Sequence, residues 1–180
     1  MMIPAGGGAH VSGLRINISN LSDGMHHHSL STEPADIGLD SRFRKTVHID
    51  ATVEKSNRQL HVQVDSRSGG VFVCDRCLEE FQENVESQYS ILYVQSQTPP
   101  SDAENTEGEV QYLSVDTNII DLGEDVRQYL TLSLPLKTVC REDCAGLCPI
   151  CGINKNKATC SCTMEESDPR WVDLKKFLNN

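Results

Sequence analysis

The chain has 180 residues, 38% of them hydrophobic and only 5% aromatic, with eight cysteines and a net charge of −10 at pH 7. That length supports one full core, or one core with a small appended module. No apolar run approaches the roughly 18–20 residues needed to cross a bilayer, which excludes a spanning helix. The charge is also uneven, since residues 61–139 carry four basic side chains against fourteen acidic ones, whereas residues 1–60 and 140–180 are each balanced. Such a chain is a poor non-specific binder of nucleic acid, because phosphates need Lys and Arg. It suits a basic protein partner, or RNA held through a local patch. The start, MMIPAGGGAHVSG, has neither the basic nor the apolar region of a secretory signal. Eight cysteines without an export signal point to metal or redox chemistry rather than a disulfide framework.

Residues 1–13 are Gly-rich and expected to be disordered. Leu14-Arg15-Ile16-Asn17-Ile18 alternates as a strand does, and His26-His27-His28 falls in the polar loop expected after it. Phe43, Lys45, Val47, Ile49, Ala51 and Val53 share one face of a strand, with Lys45 its only polar member. A turn at Lys55-Ser56-Asn57-Arg58 leads to Leu60, Val62 and Val64, completing an antiparallel hairpin. Ser68-Gly69-Gly70 reads as the next turn. Val71-Phe72-Val73 then enters Cys74-Asp75-Arg76-Cys77, and Phe81, Val85, Tyr89, Ile91 and Tyr93 continue as a strand or a pair. Residues 95–109, acidic and with two prolines, read as a mobile loop, followed by a short strand at Val110–Leu113. A helix is expected over 121–134, opened by Asp121 and Glu124 as a near capping box, striped by Val126, Tyr129, Leu130 and Leu134, and stopped by Pro135. A last helix begins at Asp168-Pro169, with Trp171, Leu174 and Leu178 as its apolar stripe.

The chemistry is concentrated in cysteine. Cys140, Cys144, Cys148, Cys151, Cys160 and Cys162 crowd into one stretch. Cys148-Pro149-Ile150-Cys151-Gly152 has the form of a tight turn that offers two thiolates to one zinc, Gly152 suiting the positive φ such turns require. Cys160 and Cys162 are its natural closing pair. Cys74, Cys77, Cys140 and Cys144 then make a second set that ties the C-terminal stretch back to the β region. Zinc binding contributes on the order of 10 kcal/mol to folding. The spacing leaves another partition open, with one ion on Cys140, Cys144, Cys148 and Cys151 and the other cysteines free. Thioredoxin-like redox work, disulfides and an iron–sulfur cluster compete with zinc, but neither Cys-x2-Cys has the βα context of thioredoxin. A catalytic zinc keeps an open position, whereas these cysteines suffice to close two sites.

Other candidates read as structure. His26-His27-His28 is a solvated polar run, Asp121, Glu124 and Asp125 belong to a helix start where carboxylates favour the dipole, and Trp171 sits at core spacing. No phosphate loop and no nucleophile elbow is present.

CDRC at 74–77, DLGEDVRQYLTLSLPLKTVC at 121–140, CREDCAGLCPICG at 140–152, CSC at 160–162 and DPRWVDLKKFL at 168–178 together resemble the YceD family, the large ribosomal RNA subunit accumulation proteins, long catalogued as a domain of unknown function. The resemblance spans about residues 14–178 and is most specific in the C-terminal half. It implies a role in accumulation or processing of large-subunit (23S) ribosomal RNA, in a bacterial cytoplasm or a plastid. The lack of transit-peptide composition favours the bacterium. Some relatives lack the last four cysteines but keep the first pair and ligand-type residues near 140–144, which implies that Cys74, Cys77, Cys140 and Cys144 form one unit. It brings no catalytic residues.

The expectation is an α+β protein: a mostly antiparallel sheet or open barrel over 14–139, one helix, a cysteine-rich zinc module and a terminal helix over 140–180. Two structural zinc ions would be held by the eight cysteines. The function expected is non-enzymatic binding to large-subunit ribosomal RNA or to a basic ribosomal protein. Glu79, Glu80, Glu83 and Glu86 favour the protein, and Arg42, Arg44, Lys45, Lys155 and Lys157 are the candidate RNA contacts. The rivals are an RNA-processing nuclease using carboxylates and magnesium, and a zinc-dependent interaction module unrelated to ribosomes.

Overall fold

A computed structural model describes residues 13–97 and 110–163. The chain forms two compact units, one of Met1–Phe72 with Glu80–Thr138 and the other of Val73–Glu79 with Val139–Asn180. The stretch 14–139 is therefore interrupted: the segment between its two longest strands belongs with the C-terminal part.

In the first unit, β1 (Arg15–Asn17) is followed by β2 (Gly24–Thr32), a 3-10 turn (Pro34–Ile37), β3 (Val47–Ser56), β4 (Gln59–Val73), β5 (Glu80–Ser96), β6 (Val110–Ser114), β7 (Ile119–Asp121) and α1 (Gly123–Leu132). Five strands form a sheet in the order β2-β3-β4-β5-β6, and β1 pairs with β7 in a second, two-stranded sheet. The larger sheet has two edge strands, β2 and β6, and does not close on itself. β2 with β3, β3 with β4 and β1 with β7 are antiparallel, while the edge strand β6 runs parallel to β5.

The alternation that marks β3 and β4 in the sequence is the core itself. Val47, Ile49, Ala51 and Val53 are buried, and register sets Ala51 opposite Val64 and Val53 opposite Val62. Each valine or isoleucine among them contributes about 1.5–3 kcal/mol when taken from water. Lys45 is exposed, outside the strand. The Asn57-Arg58 turn closes this hairpin, with Asn57 at φ 55, a left-handed position that asparagine tolerates. β5 is one seventeen-residue strand. Its gap in apolar spacing at Ser87 is filled by a buried hydroxyl pair with Ser66 on β4, 2.7 Å apart. α1 buries Val126 and Leu130 and stacks Tyr129 on Tyr89 of β5 at 4.1 Å and 6°.

Several expectations are corrected. Ser68-Gly69-Gly70 is no turn but the interior of β4. A Cβ on Gly70 would lie 2.4 Å from the Arg42 carbonyl and 3.0 Å from the Phe72 ring, so glycine here serves close approach rather than reversal. His26-His27-His28 lies in β2, an edge strand whose polar sequence suits one paired side and one free side. Residues 95 and 96 extend β5, and 98–109 lie outside the described residues. β7 was not foreseen. It takes Asp121, so the helix starts at Gly123, and Asp121 instead accepts the Gly123 amide at 2.9 Å. Residues 1–12 and the expected helix from 168 also lie outside the described residues. Among the described residues no helix is long and apolar enough to cross a membrane.

Candidate metal centres

The second unit has little regular structure among its described residues: beyond Val73 it offers one isolated bridge, Leu147 with Asn154. Its order resides in the cysteines. All eight are free thiols. They form two groups, Cys74, Cys77, Cys140 and Cys144, and Cys148, Cys151, Cys160 and Cys162, with the sulfurs of each group within 4.8 Å of one another. In the first group Cys74 Sγ lies 3.8 Å from Cys144 Sγ, and Cys77 Sγ 3.8 Å from Cys140 Sγ. A disulfide would bring sulfurs to about 2.05 Å. Four thiolates at about 2.3 Å from one tetrahedral ion have edges of about 3.8 Å. Either group can therefore hold a metal ion. The partition joining Cys140 and Cys144 to Cys148 and Cys151 is not the one that forms.

The two Cys-x2-Cys segments are built alike. The Leu78 amide donates to the Cys74 carbonyl at 2.8 Å, and the Gly152 amide to the Cys148 carbonyl at 2.8 Å. The Cys74 amide donates to the Glu79 carbonyl at 2.9 Å, and the Cys148 amide to the Ile153 carbonyl at 2.8 Å. Leu78 at φ 59 and Gly152 at φ 73 turn the chain at the same step. This turn aims amides at the leading sulfur. Burial pushes the Cys74 thiol up, but the amides of Cys140, Cys77 and Arg76 outweigh it and hold the group at about 6. The Cys151 and Ile150 amides bring Cys148 to about 6 against the opposing effect of burial. The Asn156 side-chain amide, 3.3 Å from Cys144 Sγ, lowers that thiol, helped by the Gly146 amide. Cys140 is pushed up to about 12 by burial and then by its neighbouring sulfurs. Cys162 is pushed to about 12, chiefly by Cys151 and then by burial. Each group thus presents an anionic sulfur at neutral pH, and an incoming cation must displace protons from others.

Supporting residues carry no cysteine signature: Arg76 and Asn156 were not singled out in the sequence, and Glu79 and Lys157 were read there only as charges facing a partner. Arg76 donates to the Glu142 and Cys144 carbonyls at 3.0 Å each, and its own carbonyl accepts from Leu147. Asn156 donates to Asn154 as well as to Cys144, and its oxygen accepts from Ala145 and Arg141. Lys157 pairs with Glu79. Only the position of Arg76, between two ligand-type cysteines, could have drawn notice.

The remaining candidates go elsewhere. His26 Nε2 lies 2.8 Å from the Ser22 carbonyl and His27 Nδ1 3.1 Å from Thr52 Oγ1, and the histidines enter no potential metal group among the described residues. Asp121 pairs with Arg15 at 3.2 Å and Glu124 with Arg127, while Asp125 is half-buried toward Tyr93. Arg42 is paired with Asp40, whereas Arg44, Lys45 and Lys155 have no ion-pair partner among the described residues. Trp171 lies outside them.

The family model described as Large ribosomal RNA subunit accumulation protein YceD matches residues 70–178. An uncharacterised protein of Mycobacterium bovis is 31% identical over 162 residues, covering 84% of this chain and 72% of the relative. One from Mycobacterium leprae is 31% identical over 149 residues, 80% of this chain and 66% of its own. An Arabidopsis thaliana protein, large ribosomal RNA subunit accumulation protein YCED homolog 1, chloroplastic, is 25% identical over 151 residues, 71% of this chain and 47% of its own. No solved structure is a significant match. With a match that begins ahead of Cys74 and runs past both cysteine groups, and with relatives alike over most of its length, the chain belongs to the YceD family.

Proposed function

We propose that this protein is a ribosome-biogenesis factor of the bacterial cytoplasm that supports accumulation or processing of large-subunit (23S) ribosomal RNA by binding, without catalysing a reaction. Its two cysteine groups each hold one structural zinc ion. The observation that carries the structural role is closure: four thiols converge within 4.8 Å in each group, so one tetrahedral ion finds all its positions filled and none open for substrate. A multi-iron cluster binds its cysteines through different irons and sets them farther apart than one ion does. The family description supports the ribosomal setting. The partner is large-subunit ribosomal RNA or a basic ribosomal protein, and the exposed carboxylates Glu80, Glu83 and Glu86 along β5 suit the latter.

Elemental mass spectrometry of native protein with thiol titration tests the metal reading. Two zinc per chain and no reactive thiol are expected, and near one zinc with several reactive thiols would overturn it. Deletion of the gene should lower large-subunit relative to small-subunit ribosomal RNA, with recovery of large-subunit proteins or RNA on the tagged chain. An unchanged RNA ratio would overturn the ribosomal assignment.

A further inference from the structure

Apart from the metal centres, a groove of about 410 Å³ is lined by Arg44, Lys45, His48, Arg67, Asn84 and Glu86, together with polar backbone of β4. It is formed by residues of the larger sheet and the segment leading into β3, all within the first unit. Its placement is built into the backbone. The amides of Arg44 and Lys45 both donate to the Gly69 carbonyl at 3.0 Å, pinning their segment to β4. A Cβ on Gly69 would lie 2.6 Å from Lys45 Cδ, so the missing side chain makes room for the lysine stem in the groove floor.

The cations there are also unspent. Thirteen Lys and Arg fall among the described residues. Arg15, Arg42, Arg127, Arg141 and Lys157 are in ion pairs, and Lys55 and Arg76 donate to carbonyls. Of the six left, Arg44, Lys45 and Arg67 line this one groove. Glu86 shares the groove yet makes no ion pair within 4 Å. Three exposed cations gathered without partners, on a chain of net charge −10, form a local exception to its charge that suits a polyanion. Two guanidinium groups offer forked donors matched to phosphate oxygens.

We infer that the groove of Arg44, Lys45 and Arg67 is the RNA contact of this protein, binding the phosphate backbone without reading bases. Choosing RNA over an acidic peptide rests on the proposed ribosomal function. The acidic remainder of the chain confines contact to this patch. Three phosphate contacts give a dependence of log affinity on log salt with a slope of about −2 to −3.

The test uses full-length, metal-loaded protein and a fluorescein-labelled oligouridylate at several salt concentrations, with polyglutamate as competitor. Combining Arg44→Gln, Lys45→Gln and Arg67→Gln should cost at least about tenfold in affinity and flatten the slope by about two or more. Arg58→Gln, an unpaired cation outside the groove, should change neither. All three groove side chains are exposed, and an unaltered melting curve and zinc content verify the fold. The inference is overturned if the wild type does not bind the RNA, if the triple variant binds with the same slope, or if polyglutamate binds as well as RNA. Complementing the deletion strain separates the two readings. A deletion strain with normal large-subunit RNA overturns the proposed function. A deficient strain fully rescued by the triple variant overturns the groove alone.

Discussion

Leu78 and Gly152 occupy the same step of two turns with the same hydrogen bonds, yet one carries a branched side chain and the other none. A left-handed φ sets Cβ against the backbone and costs a non-glycine residue roughly 1–2 kcal/mol. Leu78 is 64% exposed, so burial does little to offset that cost. Leu78→Gly should therefore raise stability by about 1 kcal/mol, with part of the strain relief returned as unfolded-chain entropy. Gly152→Ala, which meets open space but the wrong φ, should lose a similar amount. Denaturant melts of metal-loaded protein decide it, and a less stable Leu78→Gly would mean that the leucine makes a contact worth more than its strain. The pair also shows what a residue reveals in sequence. The glycine after Cys-Pro-Ile-Cys advertises its backbone, whereas a leucine in the equivalent place does not.

At the level of elements, strands with one buried face were legible because their period of two is written in Val, Ile and Leu, as in Val47–Val53 and Leu60–Val64. What escaped was decided by neighbours. Nothing in Gly69-Gly70 distinguishes a reversal from a strand that must admit Lys45 and Phe72. His26–His28 forms a strand because β3 offers it a free edge. β7 is three residues long and exists through pairing with β1. The helix α1 was found by its stripe, but not the use of Asp125, which burial against β5 and the nearby Glu124 and Asp121 charges push above the usual carboxylate range. A carboxyl raised on folding contributes fully while protonated below its unfolded value near 3.9, and its contribution is lost as pH rises through the folded value. Asp125→Asn keeps an oxygen for the Tyr93 hydroxyl and removes the charge. It should raise the melting temperature at pH 7, with the gain closing near pH 3. A gain of equal size at both pH values would show that the charge is not the cause.

For the molecule as a whole, spacing left two partitions of the cysteines open, the family resemblance favoured the grouping that forms, and neither carried any sign of their unequal shielding. Cys74, Cys77 and Cys144 are buried and Cys140 partly so, while in the other group Cys151 and Cys162 are exposed and only Cys148 is buried. Removal of metal should therefore proceed in two stages. A chelator such as EDTA should first take the ion held by Cys148, Cys151, Cys160 and Cys162, with Cys151 and Cys162 the first thiols alkylated in peptide mass spectrometry. Simultaneous loss, or early labelling of Cys74, would show that the groups do not act separately. Spacing is readable along a chain, whereas shielding depends on the fold around each sulfur, and at Cys144 the neighbours are Arg76, on its carbonyl, and Asn156, on its sulfur.

The first centre joins residues 63 and 70 positions apart, Cys77 with Cys140 and Cys74 with Cys144. On a growing polypeptide made at about 5–20 residues per second, the leading pair is made roughly 3–14 s before its mates. For that interval it is a half-built chelate with two vacant positions, exposed to any thiophilic ion or oxidant nearby. On the proposed zinc reading, correct assembly therefore depends on timing as well as affinity: an early, loosely held ion must still be exchangeable when the second pair arrives.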